Sequence, residues 1–181
     1  MKYKILLLLA LFTFSAFPKA NRSTAPSKNS HPNLYSIASK LQDEVVSLEA
    51  EAQRLIDLGK ECISRVNSLL SDMEKISRKI DNGEITYWND EIKNINNRIN
   101  DSYDKDHERD RIGKELNKRK LAVECKLEEN SKLKNLIYMD RLYDKINEYN
   151  NLLDRNKYDD QVTIYNNNAK LFISKINKLP S

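Results

Sequence analysis

Residues 38–80 read ASKLQDEVVSLEAEAQRLIDLGKECISRVNSLLSDMEKISRKI, with small or apolar residues recurring at alternating intervals of three and four. Such a repeat, sustained for about six heptads, predicts one long helix that packs by knobs-into-holes contacts. Gly59 weakens this helix by about 1 kcal/mol relative to alanine, so it marks either a bend or the close approach of another helix. The repeating positions are Ala38, Leu41, Val45, Leu48, Ala52, Leu55, Gly59, Cys62, Val66, Leu69, Met73, Ile76 and Ile80.

The same spacing continues through the rest of the chain and predicts three more helices. A second helix runs over residues 85–99, and the polar stretch 100–104 predicts a kink or a short loop. A third helix covers about 106–154, with a slip of phase in its middle, and a fourth covers 158–179. These patterns predict an all-α fold: an antiparallel helical bundle of two long and two shorter helices with coiled-coil-like packing. A straight first helix gives an elongated bundle, whereas a bend at Gly59 gives a compact one.

Glycine and proline are scarce in the body of the chain, which argues against a β-rich fold. The three glycines are at 59, 83 and 113, and beyond Pro18 the prolines are Pro26, Pro32 and Pro180. A β-rich chain needs turn residues every 8–12 positions or so. Gly83 follows Asp81 and Asn82, which together predict a left-handed end to the first helix. We therefore expect a single helical bundle domain over residues 34–181.

The amino terminus has the three-part form of a secretory signal peptide. Lys2 and Lys4 precede an apolar run over residues 5–14, and a zone of small residues extends to Ala20. The run is shorter than the roughly 20 apolar residues of a membrane-spanning helix, so residues 1–20 predict secretion without a membrane span. Residues 21–33 contain no apolar residue larger than alanine or proline, and they predict a disordered polar leader.

Charge argues against a nucleic-acid partner. The full chain carries 31 Lys and Arg against 27 Asp and Glu, a formal net charge of +4. Removing residues 1–20 takes away Lys2, Lys4 and Lys19 and no acid, which leaves +1. A nearly neutral chain lacks the basic excess of a general nucleic-acid binder.

Two cysteines, Cys62 and Cys125, are the candidates for a disulfide in an oxidising compartment. Straight antiparallel helices would place them about 30 Å apart along the bundle axis, beyond the roughly 7 Å between bridged Cα atoms. An intramolecular bond is our first expectation, and it requires a bent first helix or a topology other than a simple meander. The alternatives are an intermolecular bond and two unpaired thiols.

Catalytic and cofactor motifs are missing, and we expect no enzymatic activity and no cofactor. There is no glycine-rich phosphate loop, nucleophile elbow or Cys-x-x-Cys pair. Asp104, Asp106, His107 and Asp110 are metal-ligating residue types, but an EF-hand alignment puts Arg109 where the loop requires glycine. We interpret these acids as a favourable charge at a helix amino terminus and predict no metal site.

Candidate binding residues lie in the second half of the chain. Lys114, Lys118 and Lys132 belong to its most basic segment and are candidate contacts for a glycosaminoglycan or an acidic protein surface. Tyr138 and Tyr143 fall outside the apolar stripe, and exposed tyrosines favour protein interfaces.

Three further positions are singled out by residue type or motif. Trp88 lies in the stripe of the second helix and is predicted to be core. Asn21 and Asn100 begin glycosylation sequons, and both are expected in loop or leader.

The signal peptide, polar leader, helical body, cysteine pair and Asn-, Lys- and Ile-rich composition resemble the small secreted salivary proteins of blood-feeding insects, mosquitoes in particular. The resemblance rests on the character of the whole chain and assigns no role to individual residues. It implies a non-enzymatic effector that binds a host extracellular protein or a leukocyte surface receptor, with the third and fourth helices as contact surface. The alternatives are an extracellular coiled-coil protein that self-assembles through its first helix, and a carrier of a small lipid or amine.

Overall fold

The computed structural model describes residues 32–84 and 89–179, and these residues form five helices and no strand. The helices are α1 (Pro32–Asp81), α2 (Asn89–Glu129), the single turn α3 (Ser131–Lys134), α4 (Asp140–Arg155) and α5 (Tyr158–Ile176). The predicted all-α bundle with two long and two shorter helices is confirmed. The predicted signal peptide over residues 1–20, residues 21–31 of the predicted leader, Asn21 and Trp88 lie outside the described residues. Residues 32 and 33, predicted as leader, belong to α1.

Helix α1 is continuous through Gly59. A Cβ atom on Gly59 would lie 3.1 Å from Cε2 of Tyr149 and 3.4 Å from Cδ2 of Leu152. Glycine is therefore present because α4 approaches closely, the other reason that the sequence allowed. At its carboxyl end α1 closes as expected, with φ +77° at Gly83. The amide of Gly83 donates to the carbonyl of Ile80, and that of Glu84 to the carbonyl of Lys79, a Schellman pattern.

The helix boundaries in the middle of the chain differ from the prediction. No break occurs at 100–104: α2 runs through this stretch, and the chain turns instead between Glu129 and Asp140. The polar residues that obscured the stripe take core positions, since Ser102 and Arg109 are buried among the apolar residues of α2. The side chain of Ser102 hydrogen-bonds with Tyr165 and that of Arg109 packs on the Tyr158 ring, and both partners are far along the chain, where a local pattern does not show them. The acids at 104–110 therefore lie inside a helix and not at a helix amino terminus.

Contacts between the elements show a bundle of three columns. Side chains of α1 and α2 that bond each other are 75 residues apart in sequence for Glu44 and Arg119, and 26 residues apart for Asp72 and Arg98. Such a steady fall in sequence separation is what antiparallel helices require. The sequence separation between bonded residues of α1 and the later helices stays nearly constant, at 92 residues for Gln53 with Lys145 of α4. It is 94 for Asp81 with Lys175 of α5. Helices α4 and α5 thus both run parallel to α1, one after the other, as a third column interrupted near its middle.

The interruption realigns the apolar stripe of this third column. The stripe steps by five residues from Leu153 to Tyr158, which in a continuous helix would turn it by about 140°. The junction residue Lys157 adopts the left-handed conformation, with φ 47° and ψ 48°. As a result Tyr158, Tyr165 and Phe172 are all buried against α1 and α2.

Two clusters of buried side chains form the core. One joins α1 and α2 to α5, and the other joins α1 and α2 to α4 and to the turn that contains Leu133 and Ile137. The predicted stripe of α1 is confirmed, because its positions from Ala38 to Ile76 are buried. Polar side chains from α2 lie at the level where α4 passes into α5, and they are the first candidate site.

Candidate functional site

A buried polar cluster, made of Cys62, Asp106, Arg109, Tyr149 and Tyr158, occupies this level. The side chain of Arg109 is only 6% exposed, and its Nη2 donates to Oδ1 of Asp110 at 3.0 Å. Its Nη1 lies 3.8 Å from Oδ1 of Asp106. The Tyr158 hydroxyl donates to the same Asp106 oxygen. The buried guanidinium is thus paired with two carboxylates of its own helix, whereas its Nε and Nη1 have no hydrogen-bond partner within the described residues.

The ionisable groups of this cluster hold their protons strongly. Burial, reinforced by the charge of Asp106, raises the pKa of the Cys62 thiol to about 12. Burial likewise raises the pKa of Tyr149 to about 12. A thiol in this state is not a nucleophile near neutral pH, because the thiolate is the reactive form. The arrangement is suited to holding helices together.

The expected intramolecular disulfide is not present, because Cys62 and Cys125 are both free thiols in the structure. Cys62 is buried beside Asp106, which shifts its pKa, whereas Cys125 is exposed nineteen residues further along α2. Nineteen helical residues span about 28 Å, far more than a disulfide bridges. The distance along α2 between the neighbour of Cys62 and Cys125 is therefore too long for the expected bond.

The predicted basic contacts, Lys114, Lys118 and Lys132, are exposed. Lys114 and Lys118 lie on the outer face of α2, in line with Leu121 and Cys125, and Lys132 is exposed on α3. The three lysines have no ion pair within residues 32–84 and 89–179. Their role as contacts for an acidic ligand stays a prediction.

Tyr138 and Tyr143 differ in their exposure to solvent. Tyr138 is 74% exposed, as predicted. Tyr143 packs against the α4 core cluster, its hydroxyl donates to Oε1 of Glu124 at 2.7 Å, and Lys120 lies over its ring. The prediction that Tyr143 is an exposed contact residue is wrong, because α2 supplies it with a partner.

A row of α1 side chains extends the surface around Tyr138. Oε1 of Gln42 accepts from the Tyr138 amide at 2.9 Å, and Nε2 of Gln42 lies 3.5 Å from the Tyr138 carbonyl oxygen. Tyr35 and Val46, which are 41% and 56% exposed, lie on the same face of α1, one or two turns to either side of Gln42. We call Tyr35, Gln42, Val46 and Tyr138 the tyrosine surface. Sequence reasoning missed its α1 part, although Tyr35 and Val46 stand outside the stripe at the spacing of one helix face.

The predicted glycosylation site Asn100 and the acidic segment around His107 both lie within α2. Asn100 is exposed in the helix and not in a loop, and the hydroxyl-bearing residue of its sequon, Ser102, is buried. Asp104 and His107 are exposed, and no cluster of three potential metal ligands occurs in the described part of the chain.

The last two findings concern membrane spans and similarity to known proteins. None of the described helices combines the length and apolar character that crossing a bilayer demands. Searches of protein-family models, curated proteins and solved structures found no match to this chain.

Proposed function

We propose that the chain is a secreted, non-enzymatic binding protein that recognises a host extracellular protein or leukocyte receptor through the tyrosine surface. The observation that carries this proposal is the presentation of Tyr138. Its ring is largely in solvent, while its backbone is held against α1 by Gln42. Tyrosine is enriched among residues that dominate binding energy, and a backbone that is already held in place loses less entropy on binding.

The surroundings of Tyr138 fit a protein partner. Tyr35 and Val46 add exposed apolar area on the same side, and Gln42 lies between them with an amide at the surface. Apolar groups around a central aromatic residue, with polar groups among them, are typical of protein interfaces. The secretory signal and the resemblance to salivary proteins favour a vertebrate target.

Self-assembly through α1 is the less favoured function. The repeating stripe of α1 is filled by α2, α4 and α5 of the same chain, so that seam is not open to a second chain. We therefore expect the purified protein to be a monomer. Its mass measured over a range of concentrations checks this expectation.

The test is capture of a partner by the labelled protein from vertebrate plasma and leukocytes. We expect saturable binding to one plasma protein or cell type, and a loss of at least about tenfold in affinity for Tyr138→Ala. Leu171→Ala is the matched control, because Leu171 is an exposed apolar residue on α5, away from the tyrosine surface. Absence of saturable binding, or equal effects of the two variants, would overturn the proposal.

A further inference from the structure

A groove lies between the amino-terminal part of α1 and the carboxyl-terminal part of α2. Its volume is about 420 Å³, within the range of sites that hold small organic ligands. Ile37 and Leu41 form the apolar wall on α1, and Ala122 and Val123 form the wall on α2. Lys40 and Lys126 stand on opposite helices at the rim, and both are exposed.

Elsewhere, opposite charges join α1 to α2. Arg54 pairs with Glu108, and Asp72 pairs with Arg98 at 2.8 Å. In the groove itself, Nε of Arg119 donates to Oε1 of Glu44 at 2.8 Å, so the one acidic side chain of its lining is already paired.

Lys40 and Lys126 do not follow this pairing of opposite charges between the two helices. Nη2 of Arg119 donates to the Ser47 hydroxyl at 3.1 Å, which fixes these two residues at one level of the antiparallel pair. Lys40 is seven residues before Ser47 and Lys126 is seven after Arg119, so the two lysines also share a level. Neither has an ion pair within the described ranges. Two like charges thus face each other across an apolar groove, an arrangement that an anion between them would relieve.

We propose that this groove binds a monomeric single-chain lipid anion, namely a fatty acid. Its carboxylate would lie between the ammonium groups of Lys40 and Lys126, and its chain would cover the apolar walls. Charge and apolar area both select this ligand: a simple salt ion would leave the walls exposed to water, and an uncharged lipid would leave the lysines unpaired. The groove and the tyrosine surface lie on different faces of α1, because Ile37 and Tyr35 are two residues apart in a helix. The inference therefore does not depend on the proposed function.

The experiment is calorimetric titration of the full mature chain with laurate below its micelle-forming concentration. We expect saturable binding of one laurate per chain, with methyl laurate and butyrate each at least tenfold weaker. Lys126→Glu should weaken laurate binding at least tenfold, because it pairs Lys40 internally and repels the carboxylate. It should not lower the unfolding temperature of the ligand-free protein, which separates loss of the site from loss of the fold.

Lys93→Glu is the matched control, since Lys93 is also exposed on α2 and lies far from the groove. It should bind laurate as the unaltered chain does. Equal affinity for butyrate and laurate would overturn the lipid assignment in favour of a simple anion site. Binding to anionic phosphatidylglycerol vesicles without binding of monomeric laurate would overturn it in favour of a membrane-contacting surface. No saturable binding of laurate would overturn the site altogether.

Discussion

The guanidinium carbon of Arg109 lies 4.5 Å from the centre of the Tyr158 ring, while the hydroxyl of that ring donates to Asp106. One aromatic residue, the first of α5, therefore meets a cation and an anion that α2 carries one turn apart. This is where the third column changes from α4 to α5. The contact fixes the start of α5 and, through it, the burial of Tyr165 and Phe172.

Removal of the Tyr158 hydroxyl tests the value of this contact. Tyr158→Phe keeps the ring over Arg109 but deprives the Asp106 carboxylate of its donor, so we expect the free energy of unfolding to fall by about 1–3 kcal/mol. Urea unfolding followed by circular dichroism measures the change. Tyr138→Phe removes an exposed hydroxyl and should alter the stability by less than about 0.5 kcal/mol. Equal effects of the two variants would contradict the role of Asp106 as acceptor.

Two glycines in long helices should respond oppositely to alanine. Gly59→Ala places a methyl group 3.1 Å from the Tyr149 ring, and we expect a loss of about 1–3 kcal/mol from overpacking. Gly113→Ala meets only Cδ2 of Leu55, at 3.8 Å, and should gain about 0.5–1 kcal/mol because alanine favours the helix. Thermal unfolding of both variants measures the difference. A stabilised Gly59→Ala would show that α4 does not approach α1 this closely.

The left-handed residue between α4 and α5 offers a stabilising substitution. A side chain in this conformation costs roughly 1–2 kcal/mol, which glycine avoids. Lys157→Gly should therefore raise the free energy of unfolding by about 0.5–1 kcal/mol, after the greater freedom of glycine in the unfolded chain is included. Lys157→Ala removes the same charge without relieving the backbone and serves as the control. If alanine stabilised as much as glycine, the backbone of Lys157 would not be the cause.

Thiol titration distinguishes the two cysteines. We expect a thiol-specific reagent at pH 8 to modify Cys125 rapidly in the folded protein and Cys62 only after unfolding, because Cys62 is buried and protonated. The count of reactive thiols should rise from one to two on addition of guanidinium. Cys125→Ser should abolish the fast reaction and leave the slow one. A count of zero in the unfolded, unreduced protein would demonstrate the disulfide that the structure lacks.

We expect the free energy of unfolding to fall in alkaline solution, in part because of the buried hydroxyl of Tyr149. The pKa of Tyr149 is raised from 10.0 to about 12 by burial, so above pH 10 or so the unfolded chain releases a proton that the folded chain keeps. The free energy of unfolding therefore falls as the pH rises between about 10 and 12. Tyr149→Phe removes this contribution, and urea unfolding at several pH values should show a shallower decline than in the unaltered chain. An unchanged slope would contradict the burial of this hydroxyl.

The sequence predicted the fold well wherever packing repeats along one helix. The stripe of α1 and its left-handed end at Gly83 depend on local spacing and on residue type, and both were correct. The break at 100–104 was wrong because Ser102 and Arg109 are polar residues in core positions. The tyrosines that they contact, Tyr165 and Tyr158, lie on α5, which the local pattern does not join to α2.

The candidate surfaces were predictable only in part, for a related reason. Lys114, Lys118 and Tyr138 are exposed, as their spacing indicates. Tyr143 is not exposed, because Glu124 and Lys120 approach it from another helix. The groove with Lys40 and Lys126 arises from two helices whose relative register follows only from the structure.

The interrupted third column has a consequence for the order in which the chain is made. Helices α1 and α2 form an antiparallel hairpin whose shared apolar side packs against residues that follow Glu129, from Leu133 to Phe172. During synthesis this hairpin therefore emerges with its hydrophobic side open and stays so until the last quarter of the chain has followed. We therefore expect the nascent protein to need chaperones during that interval, and a chain truncated before α4 to be prone to aggregation.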